Sequence, residues 1–312
     1  MSHVAVLQGG RSLERQVSLK SGLRVQESLR RLGHQATGVD AGPQLVRELT
    51  QLAPDVVFIA LHGGDGEDGT VQELLEILGL PYTGSRPAAC RRSADKIAAK
   101  YALREAGIPT PGFYTCDSTA FKELGAGAAL PTIIAQLSFP LVVKPSNQGS
   151  ALGIKFAATS ADVPAALVAA FSYDHEILFE RYIAGRELAV SILERDGVPI
   201  ALPVVEAVPE RESYYDFESR YEIGKTRFTC PAELEAPMAE RAQQLALDTY
   251  NLLGCSSFAR VDLMLEAANN ELQVLEVNSI PGLTTTSLLP LAADAAGIPF
   301  DDLIAQILAA AR

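Results

Sequence analysis

Cysteine is scarce in this 312-residue chain, and its four copies, Cys90, Cys116, Cys230 and Cys255, lie far apart with no C-x-x-C pair. Such spacing excludes a disulfide framework and a cysteine zinc site, and it fits a reducing compartment. Positive charge is short as well: 26 Lys and Arg stand against 38 Asp and Glu, a formal net charge of −12 at pH 7. A general nucleic-acid binder needs a basic surplus to neutralise phosphates, so that class is excluded. A few local lysines and arginines can still hold a small anion. No run approaches the roughly eighteen consecutive apolar residues of a membrane span. The amino terminus enters a strand-like run, HVAVLQ, with no basic, apolar lead-in. A cytoplasmic protein without membrane contact is the expectation.

What is present is ordinary globular material, 48% hydrophobic and 21% charged, in a chain too long for one core. Two or three domains are therefore expected. The first ninety or so residues alternate strand and helix: strands at 4–7, 36–39 and 56–61, helices at 18–32, 44–52 and 70–78. The first helix should turn Leu19, Leu23, Leu29 and Leu32 inward. This βαβαβ order implies a parallel sheet with right-handed crossovers. Gly64–Gly69 matches G-x-G-x-x-G, but Asp65, Glu67 and Asp68 would repel a pyrophosphate and the loop follows the third strand. A plain turn or a substrate loop is the expected reading. Ser93 is placed to cap a helix running to Ala106. Beyond it the order becomes α+β with antiparallel pairing, then a polar segment at 210–229, a long helix at 232–253, a hairpin and two short helices.

The hairpin FARVDLML (258–265) and LQVLEVN (272–278) is the most informative constellation. Alternation puts Arg260, Asp262 and Met264 on one face, and Glu276 and Asn278 on one face of the partner. Two carboxylates and a carboxamide form an oxygen set that suits a hard cation such as Mg²⁺; a solvated strand pair is the bland alternative. Lys144 ends an apolar strand, FPLVVK, where an unpaired ammonium would be costly, so it should face an anion. The loop KPSNQGSALG (144–153) after it has glycines that permit close backbone approach to phosphate. Glu180 and Glu187 are placed to read an adenine amine and ribose hydroxyls, with plain surface charge as the alternative. Lys96 alone would be a solvated helix lysine.

Together these motifs resemble the D-alanine–D-alanine ligase family of the ATP-grasp superfamily. The likeness runs through GGRSLERQVSLKSG (9–22), LHGGDGEDGTVQ (61–72), PYTGS (81–85), ADK (94–96) and KPSNQGSALG (144–153). It continues through YYDFESRY (214–221), RVDLML (260–265) and LEVNSIPGLTTTSLLP (275–290). The resemblance implies an ATP-grasp fold with an N-terminal Rossmann-like domain (1–92), a central small domain (93–183) and a C-terminal domain with lid and Mg²⁺ site (184–312). It implies an ATP-dependent, ADP-forming ligase that joins two D-alanines through an acyl phosphate for peptidoglycan precursors, working as a homodimer.

By the same resemblance Lys96, Lys144, Glu180, Glu187, Arg220 and Met264 take ATP, and Asp262, Glu276 and Asn278 hold Mg²⁺, with Mn²⁺ as a substitute. Arg260 and the Gly282 amide receive the oxyanion. Glu14, held by Ser150 and Tyr221, binds the first D-alanine ammonium near His62, while Ser287 and the Leu288 amide receive the second carboxylate. The polar segment becomes a lid, and its tyrosine goes with dipeptide formation, where phenylalanine goes with D-lactate. The chain departs from the family at Arg15-Gln16 (commonly His-Glu), Gln148, Ala151, Arg220 and Thr286. A ligase with another second substrate is the same-fold alternative. An inactive ATP-binding regulator should lack Arg260, Asp262, Glu276 or Lys144, and all four are present.

Overall fold

The computed structural model describes residues 1–149, 152–209 and 226–312. Strand and helix alternate first: β1 (His3–Gln8), α1 (Arg15–Arg31), β2 (Gln35–Asp40), α2 (Leu45–Leu52), β3 (Val56–Ile59) and α3 (Thr70–Leu78). The strands pair in parallel in the order β2-β1-β3, as the crossover pattern requires. Gly64–Gly66 forms a single 3₁₀ turn ahead of α3.

Helix α1 corrects the expected packing. Leu29 is buried and Leu32 packs on the core as expected, but Leu23 is 55% exposed, and the rest of the buried stripe is Ser18, Ser21, Gly22, Val25, Gln26 and Ser28. Small residues win because α1 lies close on β1: a Cβ at Gly22 would fall 2.6 Å from Gln8 Cβ. Ser18 serves the junction, accepting from the Gly9 amide and donating to the Ala60 carbonyl, both at 2.8 Å.

The helix expected from Ser93 is two helices, α4 (Pro87–Ala94) and α5 (Lys96–Glu105). Asp95 divides them: it takes an extended backbone and its carboxylate accepts from the Ile97 and Ala98 amides, capping α5. Next come β4 (Phe113–Asp117), α6 (Ser118–Glu123), α7 (Leu130–Leu137), β5 (Leu141–Pro145), β6 (Lys155–Ala157), α8 (Val163–Phe171) and β7 (Glu176–Arg181). These strands form an antiparallel sheet in the order β4-β7-β5-β6. Leu141, Val143, Ile177 and Phe179 pack with α8 in a core of their own. Period-two alternation sends Val142, Lys144, Leu178 and Glu180 to the opposite face.

The last part is β8 (Gly185–Arg195), β9 (Val198–Ala201), β10 (Val205–Pro209), β11 (Thr226–Thr229), α9 (Ala236–Leu253), β12 (Phe258–Glu266), β13 (Leu272–Asn278), α10 (Leu288–Ala295) and α11 (Phe300–Ala309). Among the described residues its sheet runs β11-β10-β8-β12-β13, with β9 on β8. Helix α9 covers one face together with Ala99 and Leu103 of α5. Helices α10 and α11 share a core with β1, β3 and α1, which joins the two ends of the chain. No helix among the described residues is long and apolar enough to cross a membrane.

Candidate active site

Two clefts lie near the carboxyl ends of the parallel strands. The larger, about 790 Å³, is lined by Gly9–Ser12, residues 61–66 and α3; Arg11, which lines it, is paired to Asp65 at 3.0 Å. The smaller, about 450 Å³, gathers charge from three parts of the chain and is where the chemistry collects. Glu14, His62, Glu187, Arg260, Asp262, Glu276, Asn278, Gly282, Ser287 and Leu288 all line it.

The hairpin supplies its centre. Asp262 stands directly across from Glu276, and Arg260 from Asn278. The register then shifts, with Leu263 opposite Val274, so a bulge at Leu275 breaks the simple alternation just past the site. Arg260 donates to both Asp262 oxygens at 2.7 and 2.8 Å, and Asn278 Nδ2 adds a third bond at 3.0 Å. Burial pushes the Asp262 carboxyl up despite Arg260, and Glu276 beside it pushes the same way. Burial would also raise Glu276, but Lys96, Lys144 and Arg260 hold it below its ordinary value. Lys96 reaches Glu276 Oε2 at 3.4 Å and donates to the Gln148 carbonyl at 2.6 Å. Two oxygen-bearing carboxylates crowded side by side, with a carboxamide next to them, fit a hard divalent cation.

Glu14 opens α1 and faces two glycines. A Cβ at Gly63 would sit 3.2 Å from Glu14 Oε2, and one at Gly149 would sit 2.9 Å from Oε1. Close backbone approach to this carboxylate therefore explains both residues. Arg15, by contrast, turns away, donating to Asp40 Oδ1 at 2.8 Å and to the Gly10 carbonyl at 2.9 Å. That family departure lies outside the charged cleft.

His62 is 3% exposed, and both ring nitrogens are engaged. Nδ1 faces the Ile280 carbonyl at 3.2 Å, which can only accept, so Nδ1 carries the proton. Nε2 then accepts from Ser21 Oγ at 2.8 Å, and Ser21 accepts in turn from the Leu283 amide at 3.2 Å. Burial lowers the imidazole to about 4, and the nearby Arg260 cation acts in the same direction. The ring is a neutral strut holding the 280–283 segment. Glu67 Oε1 lies 3.9 Å from Nδ1, and burial and the neighbouring Glu14 raise its carboxyl to about 8. Gly282 backs onto Ser287, whose Oγ would meet a Cβ there at 2.6 Å. Ser287 Oγ also accepts from the Thr284 amide at 3.0 Å, and Leu288 begins α10.

Of the other expected nucleotide residues, Glu187 lines the cleft, whereas Lys144 and Glu180 form a buried pair outside its lining. Lys144 donates to Glu180 Oε2 at 2.6 Å, and the two are 5% and 3% exposed, so Glu180 is not surface charge. Glu187 and Met264 are cross-strand neighbours on β8 and β12. Ser150, Arg220 and Tyr221 lie outside the described residues, as do Ala151 and nearly all of the expected lid. No cluster of three or more His, Cys, Asp or Glu side chains able to hold a metal occurs among the described residues. The candidate set has two carboxylates and an amide.

Four participants escaped sequence reasoning: Ser21, Glu67, Asp95 and Lys100. Asp95 accepts from Ser146 Oγ at 2.8 Å, fixing the start of the phosphate loop. The spacing Lys96, Lys100 was legible, since residues four apart share a helix face. Ser21 and Glu67 gave no signal beyond their motifs.

Comparison with known proteins points to one family. Residues 34–85 match the family model for the D-ala D-ala ligase N-terminus, and residues 102–309 that for its C-terminus. A D-alanine–D-alanine ligase of Moorella thermoacetica is 44% identical over 98% of this chain and 97% of its own. That of Bordetella petrii is 42% identical over 100% and 92%. The Bacillus anthracis enzyme complexed with ATP superposes with a TM-score of 0.82 at 33% identity, covering 99% of this chain and 97% of that one. The Enterococcus faecalis VanG D-Ala:D-Ser ligase gives 0.81 at 27%, covering 98% of each. With both family models matched in order and the same architecture throughout, the chain belongs to the D-alanine–D-alanine ligase family.

Proposed function

We propose that this chain joins two D-alanines at the expense of ATP, forming ADP, phosphate and D-alanyl-D-alanine for peptidoglycan precursors. The observation that carries the reading is the meeting of Glu14, Arg260, the Asp262–Glu276 pair and the 280–288 segment in one cleft beside the buried lysines.

Apart from the attacking amine, the reacting groups are anionic, so positioning and charge neutralisation must dominate. Glu14 holds the ammonium of the first D-alanine, with Ser150 and Tyr221 as its expected partners. Lys96 and Lys144 take ATP phosphates, assisted by Arg220, so that the first carboxylate can attack the γ-phosphorus and form an acyl phosphate. Glu180 reads the adenine amine, Glu187 the ribose, and Met264 packs on the base. The second carboxylate docks on Ser287 Oγ and the Leu288 amide at the start of α10, a natural anion site. Its free amine attacks the acyl carbon, the oxyanion falls to Arg260 and the Gly282 amide, and phosphate leaves. Asp262, Glu276 and Asn278 would hold Mg²⁺, or Mn²⁺ in its place. The ion would neutralise the phosphate oxygens. A cytoplasmic homodimer of three-part subunits, divided at 92/93 and 183/184, completes the reading.

The test is ADP release from purified protein with ATP, Mg²⁺ and D-alanine, compared with L-alanine, D-serine and D-lactate as second substrates. D-Alanine-dependent turnover with dipeptide as the main product is expected. Its absence would overturn the reading, and a D-serine or D-lactate product would move the second substrate instead.

A further inference from the structure

Lys100 has no part in the chemistry just described, yet its side chain is fully buried. It lies one helical turn after Lys96 on α5, on the same face. Its Nζ pairs with Glu180 Oε1, while Lys144 holds Oε2 of the same carboxylate at 2.6 Å. The ammonium also donates to Thr110 Oγ1 at 2.5 Å and lies 3.5 Å from the Pro111 carbonyl. Thr110 donates onward to the Val274 carbonyl at 2.8 Å. The Phe113 ring lies 5.2 Å beneath the charge, and Phe113 and Val142 flank Glu180 across the sheet. Lys100 is thus fixed by Thr110 and Pro111 ahead of β4 and by Glu180 of β7, and Thr110 ties it in turn to β13.

The two lysines of Glu180 differ in reach. Lys144 precedes the phosphate loop, and its assigned task draws its ammonium toward the triphosphate. A buried carboxylate that lost its sole counter-ion would take up a proton and become a hydrogen-bond donor. We propose that Lys100 is the resident counter-ion of Glu180, a positioning residue that keeps this carboxylate an acceptor-only group, so that the base site takes a 6-amino purine and rejects a 6-oxo purine. This rests on the adenine reading of Glu180 given above. Burial lowers the Lys100 ammonium to about 8, with Lys144 acting the same way and Glu180 opposing, and the Glu180 carboxyl sits below its ordinary value. The pair is therefore charged at neutral pH.

The test measures binding of ATP and of inosine triphosphate by calorimetry, with no D-alanine present, so it does not depend on ligase turnover. Lys100→Met should lower the ATP-over-ITP preference by about tenfold, the scale of one buried polar group left unpaired. Glu180→Gln should lower it too, and Lys100→Met added to Glu180→Gln should change it no further. A preference within twofold of the parent in Lys100→Met would overturn the proposal. So would an undiminished further loss in the Glu180→Gln background, which is the mark of a merely structural lysine. If Lys100→Met alone does not fold, comparison of Glu180→Gln with the double variant, whose buried pair is neutralised, decides the matter. An unchanged preference in Glu180→Gln would remove the adenine reading and this inference with it, while leaving D-alanine-dependent ADP release untouched.

Discussion

His62 carries a measurable signature. Its ring is neutral in the fold, held at about 4 mainly by burial, whereas an unfolded histidine titrates near 6.5. Below pH 6.5 the unfolded chain binds the extra proton, so stability contributed at this site is complete above 6.5 and declines as the pH falls to 4. The loss amounts to roughly 3 kcal/mol across that window. Urea unfolding of the parent and of His62→Gln at several pH values should give curves whose difference slopes in that interval and is flat above it. A difference flat throughout would mean the ring is not held neutral. Arg260 carries a second. Arg260→Ala should lower dipeptide synthesis by on the order of 10²–10³-fold, the usual loss for one oxyanion donor. ATP binding should change little. Because Arg260 also pairs with Asp262, the Mg²⁺ titration midpoint of this variant should shift as well. A large loss of ATP affinity would place Arg260 at the nucleotide instead.

At the scale of elements, α1 is the sharpest case. Alanine at an exposed helix interior improves on glycine by about 1 kcal/mol. At Gly22 the new Cβ would meet Gln8 Cβ at 2.6 Å, and overpacking of that kind costs roughly 1–3 kcal/mol. The clash should win, so Gly22→Ala should lower the urea midpoint; a higher midpoint would show that α1 can move away from β1. Ser18→Ala strands a buried amide and a buried carbonyl, and should be destabilising by about 1–3 kcal/mol in the same assay. Why Leu23 faces outward while Leu29 is buried follows from this contact. Leucine spacing is a reliable guide only where helices pack through large side chains, and close approach to a strand selects Ser and Gly instead. The strand–helix order, the hairpin and α3 were legible because their periodicity and glycine stops are local. The Asp95 break was not, because only the tertiary link to Ser146 shows why two helices meet there. Likewise alternation placed Asp262 and Glu276 together, but nothing local announced the bulge at Leu275. Lys100 was half legible: its spacing from Lys96 is in the sequence, and its partner Glu180 is eighty residues away.

Across the whole molecule, the first and last parts are tied by α1. Arg24 donates to the Leu283 and Thr284 carbonyls at 3.0 and 2.9 Å, and Ser28 and Arg31 hold Asp301 of α11. The segment that should receive the second D-alanine is thus anchored to the unit that should hold the first. Arg24→Met should raise the KM for the second D-alanine by roughly tenfold through lost positioning, with ATP affinity unchanged. An equal effect on ATP would indicate a general loss of docking.

The central claim, transfer of the γ-phosphoryl to a D-alanine carboxylate before the peptide bond forms, has one direct test. D-Alanine labelled with ¹⁸O in its carboxylate, incubated with the protein, ATP and Mg²⁺, should give phosphate carrying a single ¹⁸O atom and one dipeptide for each ADP. Unlabelled phosphate, or ADP formed at the same rate without D-alanine, would contradict it.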